Sequence, residues 1–303
     1  MINITGKAIP EKVQLENCVR DGFSAIELQL YGDFVEKSNE EIIDLVKSVE
    51  GLSIHSVHSP ILQSRELEIE DLGDSNTIFP ILKTFYLADL LSGIYKMSMP
   101  VVVHATSNME SLLVKKDLLY RIVRELDIAL NLFPNIQVCI ENTIPVISKG
   151  DRYETKNSFL YDTVEICKFL RNQLKSDRIF TVLDTCHAMT SIRFMKETQN
   201  YTNTSTATIE DFFIENGEYA RIIHLNNVIE MGLKKGQHST PFLPNNVEDN
   251  ILLKHITDHI IKYTPNATCV LELNEEEYVV NSNANKLLTL ETLRKLGVEY
   301  RCL

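Results

Sequence analysis

Short apolar runs rich in Val and Ile recur along the chain, near residues 1–4, 25–30, 52–57, 100–104, 136–141, 179–184, 221–225 and 268–273. Each is followed by a stretch in which apolar residues return every three to four positions, near 11–21, 39–49, 78–97, 110–132, 158–175, 207–217, 248–263 and 283–296. Period-two runs alternating with helical periods predict βαβ units and a parallel sheet. Eight units within 303 residues predict an α/β fold, a single (β/α)8 TIM barrel spanning 1–303. No composition break or low-complexity linker argues for a second domain.

Loop lengths are asymmetric. Helix-to-strand connections are short, as at Gly22-Phe23-Ser24, Gly51, Ser98-Met99, Pro134-Asn135 and Thr264-Pro265-Asn266. Strand-to-helix connections are long, roughly 59–77, 142–157, 185–206, 226–247 and 274–282. Long loops at one end mark the carboxyl face of the barrel, where active sites sit. Functional side chains are therefore expected at the last positions of strands.

Six strands end in metal-ligand residue types: His58 (SIHSVHSP), His104 (VVVHATS), Glu141 (VCIENT), Asp184 (TVLDTCHA), His224 (RIIHLNN) and Glu272 (CVLELNEE). Each has an ordinary alternative: a hydrogen-bonded core imidazole, a solvated carboxylate, or for Asp184 a helix N-cap. Crowded at one mouth, however, they would repel or stay unsatisfied without a cation. A mixed His/Asp/Glu set suits Zn²⁺ or Mn²⁺ better than an oxygen-only cage for Mg²⁺ or Ca²⁺. His187, three residues after Asp184, is expected as a further ligand or substrate contact, and His238 as a loop residue folding over the mouth. Glu27 is a carboxylate in an apolar strand, either behind the ligands or facing outward. His55 is expected on the opposite face from His58, packed against a helix; His255 and His259 are expected on the outer ring, and Cys186 in packing.

Composition narrows the class. Hydrophobic content of 44% with 24% charged residues describes a globular chain with material for a core. A net charge of −12 argues against a general nucleic-acid coat. The six cysteines never form C-x-x-C and sit mostly in apolar segments, which predicts unpaired thiols in a reducing cytoplasm. Met1-Ile2-Asn3-Ile4 has no basic region before an apolar one, and nowhere do about 18 apolar residues run together, so neither a signal peptide nor a membrane span is expected. A Gly-rich phosphate loop and a basic-aromatic stripe are both missing from the sequence.

The chain resembles the xylose isomerase-like barrels, which include sugar isomerases and epimerases and the endonuclease IV family. The resemblance runs over nearly the whole chain and is carried by HSP (58–60), IENT (140–143), LDTCHA (183–188), HLNN (224–227) and LELN (271–274). It implies a central divalent ion on Glu141, Asp184, His224 and Glu272. In epimerases of this kind the matching glutamates, here Glu141 and Glu272, also transfer protons, and His187 would orient a substrate hydroxyl. In the endonuclease IV frame, His58 and His104 would hold a second ion bridged by Glu141, and His187 with a loop Asp-x-His a third.

This chain departs from the last element: Gly236 stands two before His238 where Asp is expected, and Thr240-Pro241-Phe242-Leu243-Pro244 follows. Ile61 and Leu62 offer no aromatic wedge, and Tyr31-Gly32-Asp33-Phe34 no arginine, which disfavours DNA. The expectation is a divalent-metal isomerase or epimerase acting on a small polar substrate, a sugar or sugar phosphate, with one to three Zn or Mn ions. The alternative is an endonuclease IV-like zinc phosphodiester hydrolase; a non-catalytic metal- or metabolite-binding barrel ranks below both.

Overall fold

Eight parallel strands close on themselves in this computed structural model: β1 (Ile2–Ala8), β2 (Ala25–Tyr31), β3 (Ser53–Ile61), β4 (Met99–His104), β5 (Ile136–Glu141), β6 (Ile179–Asp184), β7 (Ala220–His224) and β8 (Thr268–Leu271). Each pairs with its sequential neighbour, and β8 returns to β1 through Asn3↔Thr268 to Gly6↔Leu271. The structure describes residues 1–31, 37–61, 72, 78–104, 116–143, 146–149, 152–155, 160–198, 208–229, 237–273 and 283–303. The expected TIM barrel is therefore observed.

Outside the strands lie α1 (Lys12–Arg20), α2 (Asn39–Lys47), α3 (Ile78–Tyr95), α4 (Lys116–Leu132), α5 (Leu160–Leu174), α6 (Thr185–Thr198), α7 (Ile209–Asn216), α8 (Val247–Tyr263) and α9 (Ala284–Lys295). Local chemistry starts several of them. Ser38 and Glu41 form a reciprocal capping box on α2, Thr208 and Asp211 do the same on α7, and the Asn246 side chain caps α8. At the return turns Gly22 (φ 95°) and Gly51 (φ 81°) take left-handed backbone that a side chain would strain, which keeps those connections short.

Alternation divides the core in two. Outward-facing residues such as Ile26, Leu28, Ile54, Val101, Val103 and Ile140 pack against the helices. Inward-facing Val102, Cys139, Val182, Ile222 and Val270 form a small apolar plug inside the barrel. In four of these strands the next inward position, two residues on, is His104, Glu141, Asp184 or His224. The plug thus floors a polar mouth.

Several features differ from expectation. The segment 185–206, expected as a loop, begins with α6 directly after Asp184. Strand β1 runs on to Ala8 rather than ending at residue 4. Short antiparallel hairpins pair 146–149 with 152–155 and 227–229 with 237–240, and Tyr300–Cys302 adds parallel to β1 at its amino end. Helix α3 is, among the described residues, long and apolar enough to cross a membrane. It carries Lys83 and Asp89, so no unbroken apolar run exists, and it buries Ile81, Phe85, Leu87, Ala88 and Leu91 in the barrel core.

Register shifts break the simple alternation at three places in the barrel, one of them between Gln29 and Tyr31. Between Ile26 and Glu27 the β3 partner skips His55, and between Thr181 and Val182 the β7 partner skips Arg221. His55 lies within the electrostatic reach of Glu27 and Arg221. The expected placement on the helix side, which assumed unbroken alternation, ignores this shift.

Candidate metal centre

The candidate ligands expected at strand ends stand at or near the carboxyl ends of their strands. His104, Glu141, Asp184 and His224 are the last residues of β4, β5, β6 and β7; Glu272 follows β8 by one residue, and His58 sits within β3. Ligand atoms of Glu141, Asp184, His224 and Glu272 all lie within 4.8 Å of one another, and so do those of His58, His104 and Glu141.

His224 is the hub. Its Nδ1 stands 2.6 Å from Glu272 Oε2, 3.2 Å from Glu141 Oε1 and 3.8 Å from Asp184 Oδ2. A tetrahedral ion with bonds of about 2.1 Å sets its ligand atoms about 3.4 Å apart, the middle of this range. Glu272 Oε2 and His224 Nε2 are buried and make no aligned hydrogen bond despite close charged neighbours. Both ring nitrogens of His224 face carboxylates, Nε2 meeting Glu27 Oε1 at 3.0 Å. Burial opposes its charge, yet Glu272, Glu27 and Glu141 hold its pKa well above the usual range. A divalent cation at Nδ1 satisfies the same atoms without the extra proton, so the residues present fit such an ion.

His58 repeats the pattern. Nδ1 meets Ser59 O at 2.8 Å and Nε2 meets Glu141 Oε2 at 3.0 Å, so both nitrogens face acceptors. Burial, then Lys7, pushes its pKa down, against the double protonation this geometry would need. His104 Nε2 lies 3.2 Å from the same Glu141 oxygen. Glu141 therefore turns one oxygen to His224 and the other to His58 and His104. Despite burial, these imidazoles hold its carboxyl well below the ordinary range.

The polar frame behind the ligands comes from two asparagines inside the motifs IENT and HLNN. Asn142 Oδ1 accepts from Asp184 N at 2.7 Å, and its Nδ2 donates to Asp184 O at 3.1 Å. Asn226 Nδ2 donates to Asp184 Oδ2 at 2.9 Å. Asp184 Oδ1 accepts from His187 N at 2.7 Å, so Asp184 both caps the start of α6 and faces the ligand cluster. Burial, Glu272 and Glu141 raise its pKa while His187 lowers it.

His187 Nδ1 lies 2.7 Å from Asn142 O and 3.6 Å from Glu141 Oε1, beside the four-ligand group and outside it. The backbone of His238 pairs with Val228; its side chain, together with Gly32, Asp33, Phe34, Leu62 and Gly236, lies outside the described residues. Cys186 is buried in packing with Met189 and Val228 as expected. His255 and His259 lie on α8, on the outer ring, His259 beside Phe213 and Tyr263. Glu27 proves to be wholly buried behind His224, held to about 2, burial opposing, by His224 and Lys7. Lys7, which sequence reasoning missed, stands 2.6 Å from Glu272 Oε1.

No sequence-family model matches the chain, nor does any curated protein sequence. Solved structures do match. The 3-keto-D-glucoside 4-epimerase of E. coli superposes with a TM-score of 0.60 at 12% identity, covering 99% of this chain and 100% of its own. An AP endonuclease, family 2, from Brucella melitensis gives 0.57 at 11% identity over 91% and 95% of the two chains. The IolI protein with a bound zinc atom gives 0.58 at 13% identity over 98% of each. The fold these proteins share with this chain is the (β/α)8 barrel. At these identities the likeness establishes that fold alone, which in these neighbours carries an epimerase in one and an AP endonuclease in another.

Proposed function

We propose that this chain is a divalent-metal enzyme of the cytoplasm acting on a sugar, sugar phosphate or similar small polyol by isomerisation or epimerisation. The observation that carries this reading is the convergence of Glu141 and Glu272 on His224 Nδ1 from different strands. An ion held by Glu141, Asp184, His224 and Glu272, Zn²⁺ or Mn²⁺ by donor type, supplies Lewis-acid polarisation of a carbonyl or hydroxyl. One carboxylate then removes the proton from the adjacent carbon, and the other returns one. The Glu272 side chain keeps 15% of its surface exposed, His104 13% and His187 12%, against 2% for Glu141, so Glu272 is the carboxylate more open to substrate. His187, with Nδ1 anchored on a backbone carbonyl, is suited to orient a substrate hydroxyl. The six cysteines, five of them buried, stand in no disulfide, which supports a reducing compartment.

His58 favours a second reading: an imidazole between two acceptors, beside His104 and the second oxygen of Glu141, suits a second ion. Two adjacent ions serve phosphoester hydrolysis, as in an endonuclease IV-like enzyme. Elemental mass spectrometry of protein purified without chelator counts the ions. Incubation in deuterium oxide with ketoses, aldoses and their phosphates, read by NMR, then detects proton transfer as carbon-bound deuterium. One ion with deuterium incorporation supports isomerase or epimerase chemistry. Two or more zincs with phosphodiester cleavage and no incorporation overturn it for the hydrolase, and the lack of any tightly bound ion overturns both.

A further inference from the structure

A lysine inside the barrel stands between two of the site's carboxylates. Lys7, 6% exposed, is the register partner of Glu27 on the neighbouring strand, and its Nζ lies 2.6 Å from Glu272 Oε1 and 3.4 Å from Glu27 Oε1. Glu27 is fixed in turn by Ser56 Oγ, which donates to its Oε2 at 2.9 Å. Each of the pair thus stands behind a different proposed ligand. Glu27 backs His224, whose Nδ1 points forward to the other three. Lys7 occupies one oxygen of Glu272 and leaves Oε2 facing His224 Nδ1 at 2.6 Å.

We propose that Lys7 and Glu27 are positioning residues that set the hold on a divalent ion in opposite directions. Glu27 tightens it, because a carboxylate on the far nitrogen of a ligating imidazole fixes the ring and raises its basicity. Lys7 loosens it, because it restricts Glu272 to one coordinating oxygen and adds positive charge close to the ion. A partly exposed carboxylate held through one oxygen is the one free to reach a substrate carbon. The pair would thereby keep Glu272 available for proton transfer. This rests on the metal-centre reading above and adds to it the two residues that tune the centre.

Mn²⁺ affinity of chelator-stripped protein, measured by titration calorimetry and by the electron paramagnetic resonance signal of free Mn²⁺, tests the inference without any substrate. Glu27→Gln is expected to bind about 10- to 100-fold more weakly, Lys7→Met about tenfold more tightly, and Lys7→Arg close to the parent chain. Circular dichroism follows the fold of each metal-free variant. Should Lys7→Met fail to fold, the double variant Lys7→Met/Glu27→Gln, which deletes both charges, is expected to bind more tightly than Glu27→Gln alone. Weaker binding in both single variants, or shifts below about twofold in both, overturns the opposed roles while leaving the metal centre standing. A parent chain that binds no Mn²⁺ or Zn²⁺ overturns the centre itself and the inference with it.

Discussion

Asn226 holds Asp184 from the side: its Nδ2 donates to Asp184 Oδ2 at 2.9 Å, while its Oδ1 accepts from Cys186 N at 2.9 Å and Thr185 Oγ1 at 3.0 Å. One amide thus ties the end of β7 to the end of β6 and the first turn of α6. Asn226→Ala strips these bonds and leaves buried groups unpaired. The expected cost is about 2–4 kcal/mol in urea unfolding of metal-free protein, with metal affinity about 10- to 100-fold weaker. Unchanged stability and affinity would show that Asn226 only fills space.

An ion bound to the folded state alone stabilises it by mass action. At 100 times the dissociation constant the gain is about 2.7 kcal/mol, or roughly 4 °C of melting temperature for a chain of this size. Zn²⁺ or Mn²⁺ is expected to raise the melting temperature of the stripped parent chain by that amount. In Asp184→Asn and Glu141→Gln the rise should disappear, although both variants fold. A shift that persists in both would place the ion elsewhere.

Most of the candidate ligands were legible because an apolar pair or triplet runs straight into them: Val101-Val102-Val103 before His104, Cys139-Ile140 before Glu141, Val182-Leu183 before Asp184, Ile222-Ile223 before His224 and Val270-Leu271 before Glu272. The frame behind them was less so. In Ile2-Asn3-Ile4-Thr5-Gly6-Lys7-Ala8 the polar residues dilute the strand signal, and pairing with β2, not local propensity, extends β1 far enough to bring in Lys7. Glu27 was visible but its direction was open, since alternation fixes a face only once the register is known. Helix α6 went unread because Thr185, Cys186, Thr190 and Ser191 are weak helix formers; its start depends on Asp184 as a cap.

His58 and His104 separate the one-ion and two-ion readings. Both contact Glu141 Oε2, opposite the oxygen that faces His224. If one ion suffices, His58→Ala keeps one ion per chain and carbon-bound deuterium exchange stays within about tenfold of the parent. If two ions act together, the same substitution halves the metal content and reduces turnover by roughly the 10²- to 10⁴-fold of a lost catalytic group. Elemental analysis and rate should fall together in that case; a fall in rate alone would make His58 a substrate contact.

Thiol reactivity tests the packing of the barrel. Cys18, Cys139, Cys167, Cys186 and Cys269 are buried, and Cys302 is half-buried. Burial pushes the Cys167 thiol up to about 11 and Cys269 to about 12, so little thiolate forms at pH 8. With an excess of a thiol reagent in native buffer, one cysteine at most, Cys302, is expected to react within minutes. All six should react in denaturant. Fast labelling of Cys139, mapped by peptide mass spectrometry, would mean that the barrel interior opens, and fast labelling of Cys269 that the layer between strands and helices does.

Acid sensitivity should carry the mark of His55. Burial pushes this imidazole down to about 4 from an ordinary 6.5, with Glu27 opposing and Arg221 adding to the shift. A folded-state pKa below the unfolded value means that the unfolded chain binds more protons, so stability rises with pH across this window. The contribution is complete above about pH 6.5 and is lost as pH falls to about 4. The full shift corresponds to about 3 kcal/mol, reduced to about 1–2 kcal/mol because the ring keeps some contact with solvent. Unfolding free energies of metal-free protein from urea titrations at pH 7.5 and pH 4.5 are expected to differ by at least that amount. His55→Gln, which cannot take up the proton, should narrow the gap by about 1–2 kcal/mol. An unaltered gap would assign the acid sensitivity to the carboxylates of the mouth and mean that His55 takes up its proton equally in the folded and unfolded states.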